Sequence, residues 1–344
     1  MDRDDIFIKE NKRKIRGVIV IAILCLLILI TFVISMNTGY IRLSPSDVTR
    51  TLFGGGSKKE NLILFDFRLP RIVISIMVGA GLAMSGCIMQ GISQNALADP
   101  GILGINAGAG LMVVLFISFF PVSGIGSIFL LPALAFIGAG LTAILIYILA
   151  YNKNKGLSPT RLILTGIAVQ SGISAVMIIL TIRLKPEQFQ FVSIWLAGSI
   201  WGSNWKFVLA LLPWLVVFIP FAFYKARILN VLSMGDQIAM GLGVAVEKER
   251  RILLASAVAL AGPCVSISGG ISFVGLIAPH ISKRLVGPKH QLLLPVSALT
   301  GSLLVILADT LGRFIVQPAE IPTGIVVAII GAPYFLYLLA RTKD

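Results

Sequence analysis

GVIVIAILCLLILITFVISM, residues 17–36, is a run of apolar and small residues with no charge and no proline. At 1.5 Å of rise per residue, a helix of about 20 residues spans the ~30 Å hydrocarbon core of a bilayer. Similar runs recur along a chain of 344 residues that is 57% hydrophobic and only 13% charged, where soluble domains carry about 25% charged residues. The mean hydropathy is +0.95. A soluble core of this size has no room for so much apolar surface. Lipid leaves helices and closed barrels as the spanning structures, because every backbone N–H and C=O must be paired internally. Barrel strands alternate apolar and polar residues in short segments. These runs are continuous, so the chain is read as an all-α polytopic membrane protein.

Ten spans are expected, near residues 17–36, 70–90, 101–120, 127–150, 161–182, 205–224, 251–268, 271–286, 291–314 and 321–340. They form one domain, 1–344, with a short tail at 1–16 and a polar loop at 225–250. The first run follows "KRKIR" but is about twice a typical signal core and has no clean small-x-small site after it, so it is read as a retained span. FQFVSIWLAGSIWG (189–202) is too short and too mixed to span and is expected to be interfacial or re-entrant. With both termini in the cytoplasm, the inner segments hold 19 of the 29 lysines and arginines, as the positive-inside bias requires. The outer segment 37–71 resists that bias with Arg42, Arg50, Lys58, Lys59, Arg68 and Arg71.

Cys25, Cys87 and Cys264 all lie in apolar runs and are read as small buried hydrophobes, since an odd count without a close pair argues against disulfides. His280 and His290 are too few for a metal site, and no cofactor is expected. The net charge of +14 fits inner loops facing anionic lipid better than nucleic acid. GGGSKK (54–59) lacks the spacing of a phosphate-binding loop. Intramembrane carboxylates, the usual relays of gradient-driven carriers, are scarce; Asp309 and Arg313 are the main buried pair. A path that borrows ATP from a partner therefore fits better than a secondary carrier.

Glycine clusters in 79–86, 101–110 and 138–142, with Gly104 and Gly108 forming a GxxxG pair. Small faces let membrane helices approach closely, either within one chain, at a dimer interface or along a path. SMGDQIAMGLG (233–243) reads as a short helix: Ser233 caps it with Asp236 three residues on, Ile238 and Leu242 share an apolar face joined by Ala239 and Ala245, and Gly241 and Gly243 let the chain turn out. Periodicity alone does not separate a helix lying on lipid from one docked in a partner's groove.

Residues 68–111 (RLPRIVISIMVGAGLAMSGCIMQGISQNALADPGILGINAGAGL), 235–243 (GDQIAMGLG), 269–287 (GGISFVGLIAPHISKRLVG) and 307–341 (LADTLGRF…AEIPTGIVVAIIGAPYFLYLLAR) resemble the membrane permease subunits of the iron–siderophore and vitamin B12 ABC importers. The likeness covers nearly the whole chain in order; only the N-terminal tail and the 51–60 insert are generic. It implies the type II importer fold with about ten transmembrane helices, and partners: a second permease subunit, an ATP-binding ABC subunit inside and an extracytoplasmic substrate-binding lipoprotein outside, in the cell membrane.

By that likeness Ser233, Asp236, Ala239, Gly241, Leu242 and Gly243 would engage the ATPase. Arg68, Arg71 and Arg313 resemble outer arginines that pair with glutamates of the binding protein, a task suited to a bidentate guanidinium; the alternatives are anchoring of span ends or, for Arg313, a pair with Asp309. Asn95 and Leu97 match a cytoplasmic gate in the turn after the second helix. The usual form has proline between them, and Ala96 here loosens the backbone restriction on Asn95. His280 is read as structural. WLAGSIWG (195–202) looks more like siderophore than cobalamin permeases, with haem and cobalamin as the alternatives. The subunit itself would break no bond.

Overall fold

A computed structural model describes residues 3–39, 41, 43–120, 125–152, 156–200, 202–316 and 318–341. Arg42, Lys153, Lys155 and Trp201, which entered the reading of outer charge, inner charge and substrate, lie outside the described residues. In chain order the helices are α1 (Arg3–Asn37), α2 (Pro45–Leu52), α3 (Lys58–Asn61), α4 (Leu69–Ser93), α5 (Ile105–Phe119), α6 (Ile125–Ala150), α7 (Pro159–Thr181), α8 (Pro186–Leu196), α9 (Trp205–Tyr224), α10 (Ala226–Leu232), α11 (Asp236–Gly241), α12 (Val246–Ser268), α13 (Val274–Val286), α14 (His290–Ile315) and α15 (Thr323–Arg341). A π-helical stretch, Leu62–Arg68, joins α3 to α4, and a single 3-10 turn, Pro100–Leu103, precedes α5. Among the described residues, the one pair of strands is a two-residue antiparallel ladder, Tyr151–Asn152 against Gly156–Leu157.

Seven helical runs among the described residues are long and apolar enough to cross a membrane: Lys12–Asn37, Lys58–Ser93, Leu130–Ala150, Thr160–Thr181, Trp205–Tyr224, Val246–Ser268 and His290–Ile315. The other three expected spans correspond to the shorter α5, α13 and α15. At 13 residues, α13 rises only about 20 Å. The missing depth is non-helical chain at 269–273, tolerated where it is packed against protein: Gly269 and Ile271 are buried although Ser272 is exposed, and Gly269 packs on the Trp195 carbonyl at the end of α8. Gly324 donates its N–H to the Gly198 carbonyl at 2.8 Å, so the ends of α8, α12 and α15 meet at one node. FQFVSIWLAGSIWG therefore contributes a helix that ends against the interior, at Leu196.

The tail expected at 1–16 is helical from Arg3 and continues into α1. The second span also reaches further out than its apolar residues implied, as one helical run from Lys58 to Ser93.

α4 is the hub. Almost every residue from Val78 to Ser93 is buried, among α9, α12, α13 and α14. Its glycines set the distances. A Cβ on Gly86 would fall 1.8 Å from the Gly275 carbonyl oxygen, and one on Gly79 would fall 2.3 Å from that of Gly301. Gly108 meets the Gly138 carbonyl in the same way, joining α5 to α6. Of the three readings of the glycine clusters, packing within the chain is the one found here. Cys87 and Cys264 are buried as expected, but Cys25 is exposed on α1, whose outward face has only hydrocarbon to meet. His280 bridges α13 to α15 through Tyr334, Nδ1 to hydroxyl at 2.7 Å.

Candidate coupling and docking sites

The loop between α9 and α12 is built from α10 and α11. The expected cap at Ser233 is absent. α10 runs to Leu232 and Ser233 closes it, donating from Oγ to the Asn230 carbonyl at 2.8 Å. Gly235, at φ +108°, is where the chain breaks before α11, a conformation that a residue with a Cβ rarely adopts. The Asp236 carboxylate accepts a charged bond from Arg250 Nη2 at 2.6 Å instead of pairing with a capping serine. The apolar face is also divided differently. Ala239 is fully buried against the protein, whereas Met234, Ile238, Met240 and Leu242 are about half exposed or more. Gly235, Gly241 and Gly243 have open space where a Cβ would project.

Four residues that the sequence reading assigned no role tie this loop to the bundle. Arg250, buried, donates to Asp236 and through Nη1 to the Leu157 carbonyl at 2.8 Å, while Glu247 accepts from the Leu157 N–H at 3.2 Å. The loop is thereby joined to α12 and to the α6–α7 connection. Asn230 accepts from the His290 backbone N–H at 2.8 Å and its ring Nδ1 at 2.8 Å, anchoring α10 to the start of α14. Gln94 donates from Nε2 to the Leu232 carbonyl at 3.2 Å, with Asp236 Oδ1 at 3.5 Å. No local pattern announces these contacts, whose partners stand up to 142 positions apart.

Gln94 ends α4 in the left-handed region, φ +54°. Asn95 follows, and its Oδ1 accepts from the Leu97 N–H at 2.9 Å, closing a side-chain turn. Asp99 then caps the 3-10 turn through the Gly101 N–H at 2.7 Å. Asn95 and Leu97, both partly buried, thus sit in a tight turn one residue from a contact with the 233–243 loop.

At the opposite ends of α4 and α14, two of the three arginines converge on one carboxylate. Asp309, 1% exposed, pairs with Arg71 at 2.9 Å and with Arg313 at 3.1 Å and accepts from Thr323 Oγ1 at 3.1 Å. Arg71 also pairs with Glu320 at 2.8 Å. Arg68 is buried and donates to the Met36 and Ile41 carbonyls. Arg313 is buried too and donates to the Thr38 carbonyl at 2.9 Å and to Ser35 Oγ. Where free outer forks were expected, all three arginines hold intrachain partners, and the alternative pair of Arg313 with Asp309 is present. Arg71 borders an open cavity, of about 300 Å³, with Ile194, Ser199, Pro318, Glu320 and Ile321.

Farther out, Arg50 bridges Glu60 at 2.8 Å and Asp47 at 3.4 Å, so part of the anomalous outer charge is balanced locally. Ser44 holds the Asp47 carboxyl below its usual range by hydroxyl and N–H bonds.

Comparison with known proteins places the chain in a family along nearly its whole length. Residues 26–341 match the FecCD transport family. The chain is 52% identical over 340 residues to the iron(3+)-hydroxamate import system permease protein FhuG of Bacillus subtilis, covering 97% of this chain and 99% of that one. It is 42% identical over 285 residues to the cobalamin import system permease protein BtuC of Halobacterium salinarum, covering 83% and 75% respectively. Among solved structures, an inward-facing metal-chelate-type ABC transporter superposes with a TM-score of 0.81 at 32% identity, covering 93% of this chain and 98% of that one.

Proposed function

The chain belongs to the FecCD transport family, as a multi-pass permease subunit of an ABC importer, and on that premise we propose that its cargo is a ferric hydroxamate siderophore. The observation that carries the substrate class is the 52% identity to an iron-hydroxamate permease along essentially the full length of both chains. The cobalamin permease is more distant and matches less of either chain.

In this reading residues 1–344 form one permease domain in the cytoplasmic membrane with both termini inside, supported by the 19 of 29 basic residues that then face the cytoplasm. A second permease subunit completes the path, and a substrate-binding lipoprotein delivers the chelate from outside. The ATP-binding subunit docks on the 233–243 loop, where Met234, Ile238, Met240 and Leu242 offer apolar side chains and Gly241 and Gly243 leave room for close approach. ATP is hydrolysed on that partner. The permease binds, aligns and excludes; it transforms no bond.

Closure of the ATPase pair would move α11, and three contacts would pass that motion on. Arg250 carries it to α12, Asn230 to His290 and α14, and Gln94 to the turn holding Asn95 and Leu97, which would close the path on the cytoplasmic side. A rigid α14 links the loop to Asp309 and Arg313 at its other end, so the inner and outer faces can alternate rather than open together. Outside, Arg71 is the arginine a binding-protein glutamate could reach, by displacing Glu320. Arg68 and Arg313 would set its position by fastening the end of α1.

The test is uptake of radio-iron-labelled ferric hydroxamate by a strain lacking this chain, with and without the gene restored, beside ferric citrate and cobalamin. Hydroxamate uptake that returns with the gene supports the reading; restoration of cobalamin or citrate uptake alone overturns the substrate class. Uptake by the isolated chain in liposomes without ATP would overturn the importer mechanism in favour of a gradient-driven carrier.

A further inference from the structure

Between α6, α9 and α12 lies a cavity of about 550 Å³ that takes no part in coupling or docking. Its walls are Ile137, Leu141 and Ile144 on one side and Leu254 and Val258 on the other, with Trp214 across the inner end. Trp214 and Phe136 rings pack 5.0 Å apart there. Ile137, Leu141 and Ile144 are about half exposed, so the groove opens sideways, toward the hydrocarbon. Its size falls in the range of ordinary ligand sites.

One end is different in kind. Arg251, in the second turn of α12, lines the groove and stands beside the Tyr147 hydroxyl. The other charges of this corner are engaged elsewhere. Lys225 pairs with Glu249 at 2.7 Å, Arg250 with Asp236 at 2.6 Å, and Glu247 accepts from the Leu157 N–H at 3.2 Å. Arg251 donates from Nε to the Glu247 carbonyl at 3.3 Å and forms no ion pair among the described residues. Its guanidinium, hydrogen-bonded to the Tyr147 hydroxyl, stands at the mouth of an apolar slot, a pairing of arginine and hydroxyl that suits a phosphate.

We infer that this groove is a binding site for an anionic phospholipid, with one acyl chain between α6, α9 and α12 and the phosphate held by Arg251 beside Tyr147. Basic pockets between spanning helices recognise anionic headgroups by the same combination of charge and shape. A zwitterionic lipid offers the same acyl chain, but its choline charge opposes the arginine, so the site discriminates by headgroup. The guanidinium lies on the same membrane face as the 233–243 loop, since both flank the start of α12.

The test uses the full chain in its assembled importer, in nanodiscs of phosphatidylcholine with or without phosphatidylglycerol, and reads retained lipid by native mass spectrometry. The expected result is preferential retention of phosphatidylglycerol. Arg251→Gln should weaken that preference about five-fold, the worth of one cation at a membrane surface, while Arg251→Lys retains most of it. Gly140→Phe puts a ring on the wall of the slot from a position where a Cβ meets no atom within 4 Å, and should abolish retention of either lipid at this site. Should Gly140→Phe fail to assemble with the ATPase, the Gln and Lys pair decides alone. Equal retention of both lipids by the unaltered chain, or a preference untouched by Arg251→Gln, would overturn the inference.

Discussion

Arg250 and Asp236 stand 14 positions apart and meet at 2.6 Å, with the guanidinium also bonded to the Leu157 carbonyl. One buried side chain thus clamps the 233–243 loop to both α12 and the α6–α7 connection. Replacing it with alanine removes charge-assisted bonds worth about 2 kcal/mol. The loop in R250A should therefore open roughly thirty-fold more often, read as the rate of proteolysis within 233–243. In the assembled importer the expected phenotype is ATP hydrolysis that continues with little transport. Unchanged transport per ATP would show that Arg250 is not part of the linkage.

Gly241 separates docking from folding. Its missing Cβ faces open space, so Gly241→Glu meets no atom of its own chain and should shift stability by no more than ~0.5 kcal/mol. Co-purification of the ATP-binding subunit should nevertheless fail, because a charged side chain would intrude between two closely apposed surfaces. Intact co-purification with unaltered transport would move the docking site elsewhere.

Asp309 holds Arg71 and Arg313 together at 1% exposure. Asp309→Asn takes the carboxylate away from the buried Arg313 guanidinium, while Arg71 keeps Glu320, and removing one partner of a buried pair costs about 3–5 kcal/mol. A fall in thermal midpoint in detergent is the expected readout, larger than that of Glu320→Gln, whose partner Arg71 keeps Asp309. Equal effects for the two would mean that Asp309 is not the centre of the cluster.

Gly86 and Gly172 make a matched pair. A Cβ at Gly86 would sit 1.8 Å from the Gly275 carbonyl oxygen, while one at Gly172 meets nothing within 4 Å. Gly86→Ala must push α4 and α13 apart and should lose at least ~1–3 kcal/mol, the usual range for overpacking. Gly172→Ala, on the exposed face of α7, should be neutral or slightly stabilising. Folded yield and thermal midpoint distinguish the two.

Acid should loosen the outer segment before the bundle. Asp47 is held below its ordinary value by its serine cap. A depressed carboxylate contributes stability above its unfolded-state value and loses it as pH falls through the folded one. Protection factors for amide exchange in 44–52, which divide out the intrinsic pH dependence, should therefore be steady from neutrality to about pH 5 and fall below ~4, with little change in α4. Protection that falls toward neutral pH instead would reverse the assigned sign.

What was legible in the sequence followed from the solvent. Hydrocarbon fixes a minimum apolar length and forces backbone pairing within each segment, so spans such as 17–36, 205–224 and 291–314 stand out in composition alone and lie within α1, α9 and α14. Helix ends were less visible. Nothing local says that α3 and a π-helical stretch extend the second span outward to Lys58, or that α10 reaches Ser233 and denies it to α11. The period of an apolar face also does not say which of its residues is covered: Ala239 turned inward while Ile238 and Leu242 remained outside.

The residue types near each face were readable, as were the anomalous outer charge and the glycine clusters. Their partners were not. Arg71 finds Asp309 across 238 positions and Gln94 finds Asp236 across 142, and distances of that kind are set by how close α4 can come to α14 and to the 225–245 loop. Lipid thickness acts on each segment by itself, so the sequence alone sufficed to specify a helical membrane protein and nearly all its segments. Charge pairing and carbonyl-to-glycine contact act between segments, so only the packed bundle decided which arginine is bonded, which is open, and which side chains join the loop to the rest.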